Sequence, residues 1–229
     1  MKIHFAGGTH LAQTFSRAAT MRGFEVSNLT EAELAFVAVD VLDHNDLLGV
    51  RAVADAVERQ ALAAHAVIIL SQVPPGFTRA RHARNPAMRL YYQVETIIMS
   101  RALERISRPE QIVVGCADPT VPLPLAYQEY LMAFRCPILQ MSYESAELSK
   151  CAINYFLAAQ IRTTNELSAA TARLGADWGD VARALRNDAR VGLHAYLRPG
   201  CLNQHLHRDV DTIKKRLVEP PEYICQEYL

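Results

Sequence analysis

No stretch of the sequence approaches the ~20 consecutive apolar residues that cross a bilayer. The chain opens directly on a strand-like segment, Met1 to Phe5, with no charged region and apolar leader before it. No membrane partner is therefore expected, and a cytoplasmic location is. Charge of one sign is missing as well: 24 Lys and Arg balance 24 Asp and Glu, which removes the basic surplus that would point to nucleic acid. Cysteine is scarce, five in 229 residues. The number is odd and no Cys-x-x-Cys occurs, so free thiols are expected in place of a disulfide framework or a cysteine metal site. Internal repeats and low-complexity segments are lacking too. Apolar residues are plentiful, at 50%, enough for a sizeable core in one large or two small domains.

The apolar spacing alternates between strand and helix periods. Met1–Phe5 runs into Gly7-Gly8, and helical spacing follows from Leu11 to Arg22 before Gly23 ends it. Phe24–Leu29 and Leu34–Val39 read as strands. Only Thr30 to Glu33 separates them, too few residues for a crossover helix; either one of the two is not a parallel strand or they pair as a hairpin. A helix over Leu47–Ala63, a strand over Ala66–Leu70 and a sharp break at Pro74-Pro75-Gly76 come next. Tyr92–Ile106 reads as helix, Ile112–Gly115 as strand, Leu125–Phe134 as helix after the break at 121–124, and Pro137–Gln140 as the last strand. This pattern predicts an α/β domain over residues 1–141. From Ser142 to about Leu174 the period stays helical, a length of roughly 45 Å, and a helix that long usually packs on another chain. A helix over Asp177–Asn187, a loop over Arg198–Asn203 and a helix over His207–Leu217 complete an all-α domain, 142–218, followed by a tail, 219–229.

Within the long helix, Glu144-Ser-Ala-Glu-Leu-Ser-Lys150-Cys-Ala-Ile-Asn154 places Lys150 and Asn154 one turn apart, so ammonium and amide can meet the same ligand oxygen. Ala152-Ile-Asn-Tyr-Phe-Leu-Ala158, Asn165-Glu166 and Gly175-Ala-Asp177 follow it. Upstream stand Ala32-Glu-Leu-Ala-Phe-Val-Ala-Val39, Ile68-Ile-Leu-Ser-Gln-Val-Pro-Pro-Gly-Phe-Thr-Arg79 and Pro109-Glu-Gln-Ile-Val-Val-Gly115. In this collinear order the chain resembles the UDP-glucose/GDP-mannose dehydrogenase family over almost its whole length. The resemblance implies a Rossmann-like N-terminal domain followed by an all-α, 6-phosphogluconate-dehydrogenase-like helical dimerisation domain. It implies a homodimer through the long helix 142–174. It also implies a role for Lys150 and Asn154 in polarising or deprotonating the alcohol being oxidised, a task that suits a lysine whose pKa burial lowers.

A dinucleotide fold of this kind wants Gly-x-Gly-x-x-Gly at the first turn, the middle glycine admitting the pyrophosphate to a helix N-terminus. Here the turn is Gly7-Gly8-Thr9-His10-Leu11-Ala12. Thr9 brings a branched side chain to the point of close approach, while Ala12 is an accepted third residue. Thr30 stands where an acidic residue usually holds the ribose hydroxyls. The residues expected around NAD or NADP are Gly7, Gly8, Thr9, His10, Leu11, Thr30, Val39 and Ser71.

Other segments depart from the family. Its Gly-Gly-Ser-Cys-Phe-Pro-Lys-Asp loop, whose cysteine carries a thioester in four-electron members, reads Leu202-Asn-Gln-His205-Leu-His-Arg-Asp209 here. His205 takes the cysteine position and Arg208 that of the lysine, and Asp209 is kept; an imidazole does not replace a thiolate in such a relay. Cys201, four residues earlier, reads as an ordinary loop cysteine. Where the family has Asn-Pro-Glu-Phe-Leu-Arg-Glu-Gly the chain has Gln93-Val-Glu95-Thr-Ile-Ile-Met99-Ser100, keeping Glu95 and losing the second glutamate at Met99. Asp40-Val41 replaces a Pro-Thr pair. His205, His207, Asp209 and His194 are close in sequence, yet His-x-His at a helix start sends its rings apart, and no metal is expected. The expected catalytic set is Lys150, Asn154, Asp209, Glu95 and His205.

The family's C-terminal Rossmann unit has no counterpart in these residues. Three functions follow as expectations: an oxidoreductase making a single hydride transfer on a CH–OH group of a nucleotide or small hydroxy compound, a catalytically inactive dimer serving as scaffold or ligand sensor, and one part of a split sugar-nucleotide dehydrogenase.

Overall fold

The computed structural model describes residues 1–45, 47–97 and 99–218. The expected tail, 219–229, lies outside them. The chain divides into two compact units, Met1–Lys150 and Cys151–Val218.

The first unit is an α/β domain built on a seven-stranded sheet. Its strands are β1 (Lys2–Ala6), β2 (Glu25–Val26), β3 (Leu34–Val37), β4 (Ala66–Ile69), β5 (Leu90–Gln93), β6 (Ile112–Cys116) and β7 (Ile138–Ser142), in the order β2-β1-β3-β4-β5-β6-β7. All neighbours are parallel except β5 and β6, which run antiparallel. Its helices are α1 (His10–Met21), α2 (Leu47–Ala61), α3 (Phe77–Arg84), α4 (Ala102–Ser107) and α5 (Leu125–Met132), with the start of α6 (Tyr143–Leu174). Both faces of the sheet are covered, which explains why β3, LAFV, and β4, AVII, are buried at every position. Phe36 and Ile68 point into the core shared with Phe15 of α1 and Tyr127 and Tyr130 of α5. Their neighbours Val37 and Ile69 point to the other side, with Val53 and Val57 of α2 and Phe77 of α3.

Two expectations are corrected. β2 and β3 do not pair as a hairpin; both are parallel strands, on opposite edges of β1, with Lys2 opposite Glu25 and Ile3 opposite Leu34. Only a few residues connect them because β2 is two residues long, so the chain has almost no strand length to retrace and a single 3-10 turn, Leu29–Glu31, suffices. Nor is 92–106 one helix. Leu90–Gln93 is β5, and the helical part is a 3-10 turn over Met99–Arg101 and the short α4. Two aromatic residues favour the strand, and Tyr92 is fully buried between sheet and α6.

Close approach of α6 to the sheet depends on Gly115 of β6, where an added Cβ would stand 2.8 Å from Ala146 Cβ and 3.2 Å from Tyr143 Cα. That accounts for the glycine closing the Ile-Val-x-Gly strand.

The second unit holds the rest of α6, then α7 (Trp178–Asn187) and α8 (Gln204–Val218). Asp177 caps α7 through Asp180 N–H. The irregular segment 188–203 is fastened to α6 by side chains: Thr164 donates to the Tyr196 carbonyl, Gln160 accepts from Tyr196 N–H, and Asn165 exchanges two hydrogen bonds with Gly200. Among the described residues no helix is long and apolar enough to cross a membrane.

Candidate functional site

In the first unit, Lys150 meets Glu95. Glu95 follows β5 and is held by the Ile97 N–H, which donates to its Oε2 at 2.8 Å. Lys150 Nζ lies 3.1 Å from Glu95 Oε1, and the side chains are 8% and 2% exposed. A charge pair at this depth is weakly screened, so each partner fixes the other's position.

The same two turns of α6 carry further anchors. Glu147, fully buried, accepts from Gly76 N–H at 2.6 Å and Thr78 N–H at 2.8 Å. Burial pushes its carboxyl up to about 7, against the pull of those donors. Glu144 takes a two-point contact from Arg79 of α3, at 2.7 and 3.2 Å, and the same guanidinium donates to the Ala117 carbonyl beyond β6 and lies over the Tyr143 ring. Glu144, Glu147 and Lys150, spaced at i, i+3 and i+6, thus hold the segments that follow β4, β5 and β6. Sequence reading passed over Glu147 and Arg79. The spacing of the three charges was visible; their partners, far off in sequence, were not.

At the first turn, Gly7 has φ +120° and an added Cβ would come within 2.5 Å of the Ala38 carbonyl oxygen. Gly8 has nothing within 4 Å of the same point. Thr9 is the N-cap of α1: its hydroxyl accepts from Ala12 N–H and donates to the Ala38 carbonyl at 2.6 Å. Its branched side chain is therefore turned into the strand-helix joint. The amides of His10 and Leu11 head the helix without intrahelical acceptors. Those two donors and the space at Gly8 fit a phosphate group. The ribose end fits less well, since the exposed Thr30 donates to Asn28 Oδ1 and its neighbour Glu31 pairs with Lys2. Ser71 is fully buried, its hydroxyl accepting from Val39 N–H and donating to the Val37 carbonyl; it ties β3 to the end of β4.

In the second unit, Asn154 Nδ2 donates to Asp209 Oδ2 at 2.6 Å, and Arg208 Nε donates to Asp209 Oδ1 at 2.7 Å. Asp209 is fully buried and Arg208 nearly so. The carboxylate therefore carries a neutralising partner and an amide that fixes its plane. His205 sits one turn earlier, half-buried, its Nδ1 3.5 Å from Arg208 Nη1, while Cys201 and His207 are exposed. The structure thus joins two pairs from the expected catalytic set, Glu95 with Lys150 and Asn154 with Asp209, and sets His205 beside the arginine that balances Asp209.

Residues 144–217 match the model of the UDP-glucose/GDP-mannose dehydrogenase family, central domain. The chain is 30% identical over 189 residues to UDP-glucose 6-dehydrogenase of Pseudomonas aeruginosa, a match covering 76% of this chain and 41% of that protein. It is 30% identical over 185 residues to UDP-glucose 6-dehydrogenase YwqF of Bacillus subtilis, covering 74% and 41%. Among solved structures, a UDP-glucose dehydrogenase from Pyrobaculum islandicum has a TM-score of 0.72 at 21% identity, covering 95% of this chain and 64% of that one. Mycobacterium tuberculosis 3-hydroxyisobutyrate dehydrogenase has 0.69 at 13%, covering 99% and 92%; at these identities the two structures share the fold. The chain belongs to the UDP-glucose/GDP-mannose dehydrogenase family, spanning about two fifths of the length of the curated relatives it matches.

Proposed function

We propose that the chain is an NAD- or NADP-dependent oxidoreductase acting on a CH–OH group by a single hydride transfer. The buried Lys150–Glu95 pair carries this reading, because it offers a cationic N–H donor and a proton-accepting carboxylate side by side. A bound nicotinamide supplies the hydride acceptor. The Lys150 ammonium holds the substrate oxygen and stabilises the negative charge that develops on it. The hydroxyl proton passes to the carboxylate of the pair, while the hydride leaves the carbinol carbon and the C–O bond becomes a carbonyl. In the second unit, Asn154 has its amide plane set by Asp209. The turn at Gly7–Leu11 receives the cofactor's phosphate.

His205, at the position of the family's cysteine, supports a two-electron reaction stopping at the carbonyl, since no thiolate stands there to form a thioester. The substrate class is a nucleotide-linked or small hydroxy compound.

A second reading, an inactive dimer serving as scaffold or ligand sensor, is favoured by the exposed apolar side chains of α6. Phe156 is 66% exposed, with Ile153 and Leu167 also open to solvent. A second copy, placed across a two-fold axis, buries this face; the homodimer through 142–174 is common to both readings. Thermal-shift titration with NAD, NADH, NADP and NADPH separates them. A saturable rise in melting temperature supports the oxidoreductase, and none at millimolar cofactor leaves the inactive dimer.

A further inference from the structure

The Pro74-Pro75-Gly76 turn is closed by one backbone hydrogen bond, from Phe77 N–H to the Pro74 carbonyl at 3.2 Å, which leaves the Gly76 and Thr78 amides to be satisfied from elsewhere. Neither proline has an N–H, so Gly76 supplies the first donor of the turn. Gly76 is also the N-cap of α3, with φ +96° and no side chain to satisfy the helix's leading amides. Both tasks fall to one distant group. Glu147 approaches from α6, 71 residues after Gly76, and its two oxygens separately accept the Gly76 and Thr78 amides. Three residues further along α6, Lys150 reaches Glu95. The pose of the first turns of α6 is therefore set at the α3 end by Glu147 and is read out at the other end as the place of Lys150 Nζ.

We propose that Glu147 is a positioning residue: by capping α3 from α6 it locks the Pro74–Gly76 turn to that helix and thereby fixes Lys150 against Glu95. Its functional meaning rests on the role given to Lys150 above, but its test does not. The sequence has four lysines, Lys2, Lys150, Lys214 and Lys215, so the Nζ spectrum of protein labelled with 15N-lysine is simple, and Lys150→Arg assigns the buried resonance.

In Glu147→Ala the account expects Gly76 and Thr78 amides to exchange about tenfold faster or more, as local opening becomes easier, together with displacement of the Lys150 Nζ resonance. Glu147→Gln, which keeps one carbonyl acceptor, restores part of both and serves where the alanine variant does not fold. Faster exchange with an unmoved Lys150 resonance overturns the proposal and leaves Glu147 a local cap; no change in either also overturns it. Failure of the wild-type chain to bind any nicotinamide cofactor removes the oxidoreductase reading, while these resonances still decide the place of Glu147.

Discussion

Lys150 and Glu95 face each other at 3.1 Å with almost no solvent access, one on the second turn of α6 and the other just beyond β5. Removing either partner strands a charge in a buried site, which costs on the order of 3–5 kcal/mol. Lys150→Ala and Glu95→Ala should each lower the chemical-denaturation midpoint strongly. The double replacement Lys150→Met, Glu95→Leu should cost clearly less than the sum of the two single losses. Additive single effects would mean that the pair is not coupled.

Asn154 and Asp209 provide an independent check in the second unit. Asn154→Ala removes the amide that donates to Asp209 Oδ2 at 2.6 Å, and should destabilise by about 1–3 kcal/mol, the usual cost of leaving a buried charged acceptor short of a partner. Urea titration of the variant against the wild type measures it. An Asn154→Ala chain as stable as wild type would show that water readily replaces the amide.

Glu147 makes stability depend on pH. Its carboxyl is pushed up to about 7 in the folded chain from an ordinary 4.5, so folding favours the protonated form. That stabilisation is fully present below about pH 4.5 and is lost as pH rises through about 7, a swing on the order of 3 kcal/mol. Denaturant midpoints at intervals from pH 5 to 8 should show this component falling with pH in the wild type and missing from Glu147→Gln. Parallel curves for the two proteins would contradict it.

The two glycines of the first turn should behave oppositely. Gly7→Ala places a Cβ 2.5 Å from the Ala38 carbonyl oxygen at φ +120° and should cost about 1–3 kcal/mol or more. Gly8→Ala meets nothing within 4 Å and should leave the melting temperature nearly unchanged while weakening dinucleotide binding. Equal loss of stability in both variants would refute this division.

The proposed dimer rests on the exposed apolar side chains of α6. Phe156→Asp puts a charge on its exposed apolar face and should shift sedimentation velocity from dimer to monomer with the fold retained. A monomeric wild type would remove the dimer from both functional readings.

Much of this was legible in the chain because the signals were local. The β1–turn–α1 opening, β3 and β4 as continuous apolar strands and the long α6 all followed from spacing. The part of β5 from Tyr92 on reads as helix in the sequence because a short apolar run satisfies either period. For β2 and β3 the length rule for crossovers leaves only a hairpin or a strand outside the parallel sheet, and neither holds because the rule assumes strands longer than two residues. α3 escaped notice since its cap, Glu147, lies far along the chain and its residues, FTRARHAR, carry little apolar pattern. In the candidate site the single residues Lys150, Glu95, Asn154 and Asp209 stood out by resemblance; which of them touch is a property of the folded chain.

The central claim is that this fold still receives a nicotinamide dinucleotide. Calorimetric titration of the purified chain with NAD, NADH, NADP and NADPH tests it most directly. The account predicts saturable binding of at least one of them, accompanied by a rise in melting temperature and weakened in Gly8→Ala. Absence of heat and of any thermal shift at millimolar concentrations of all four would contradict it.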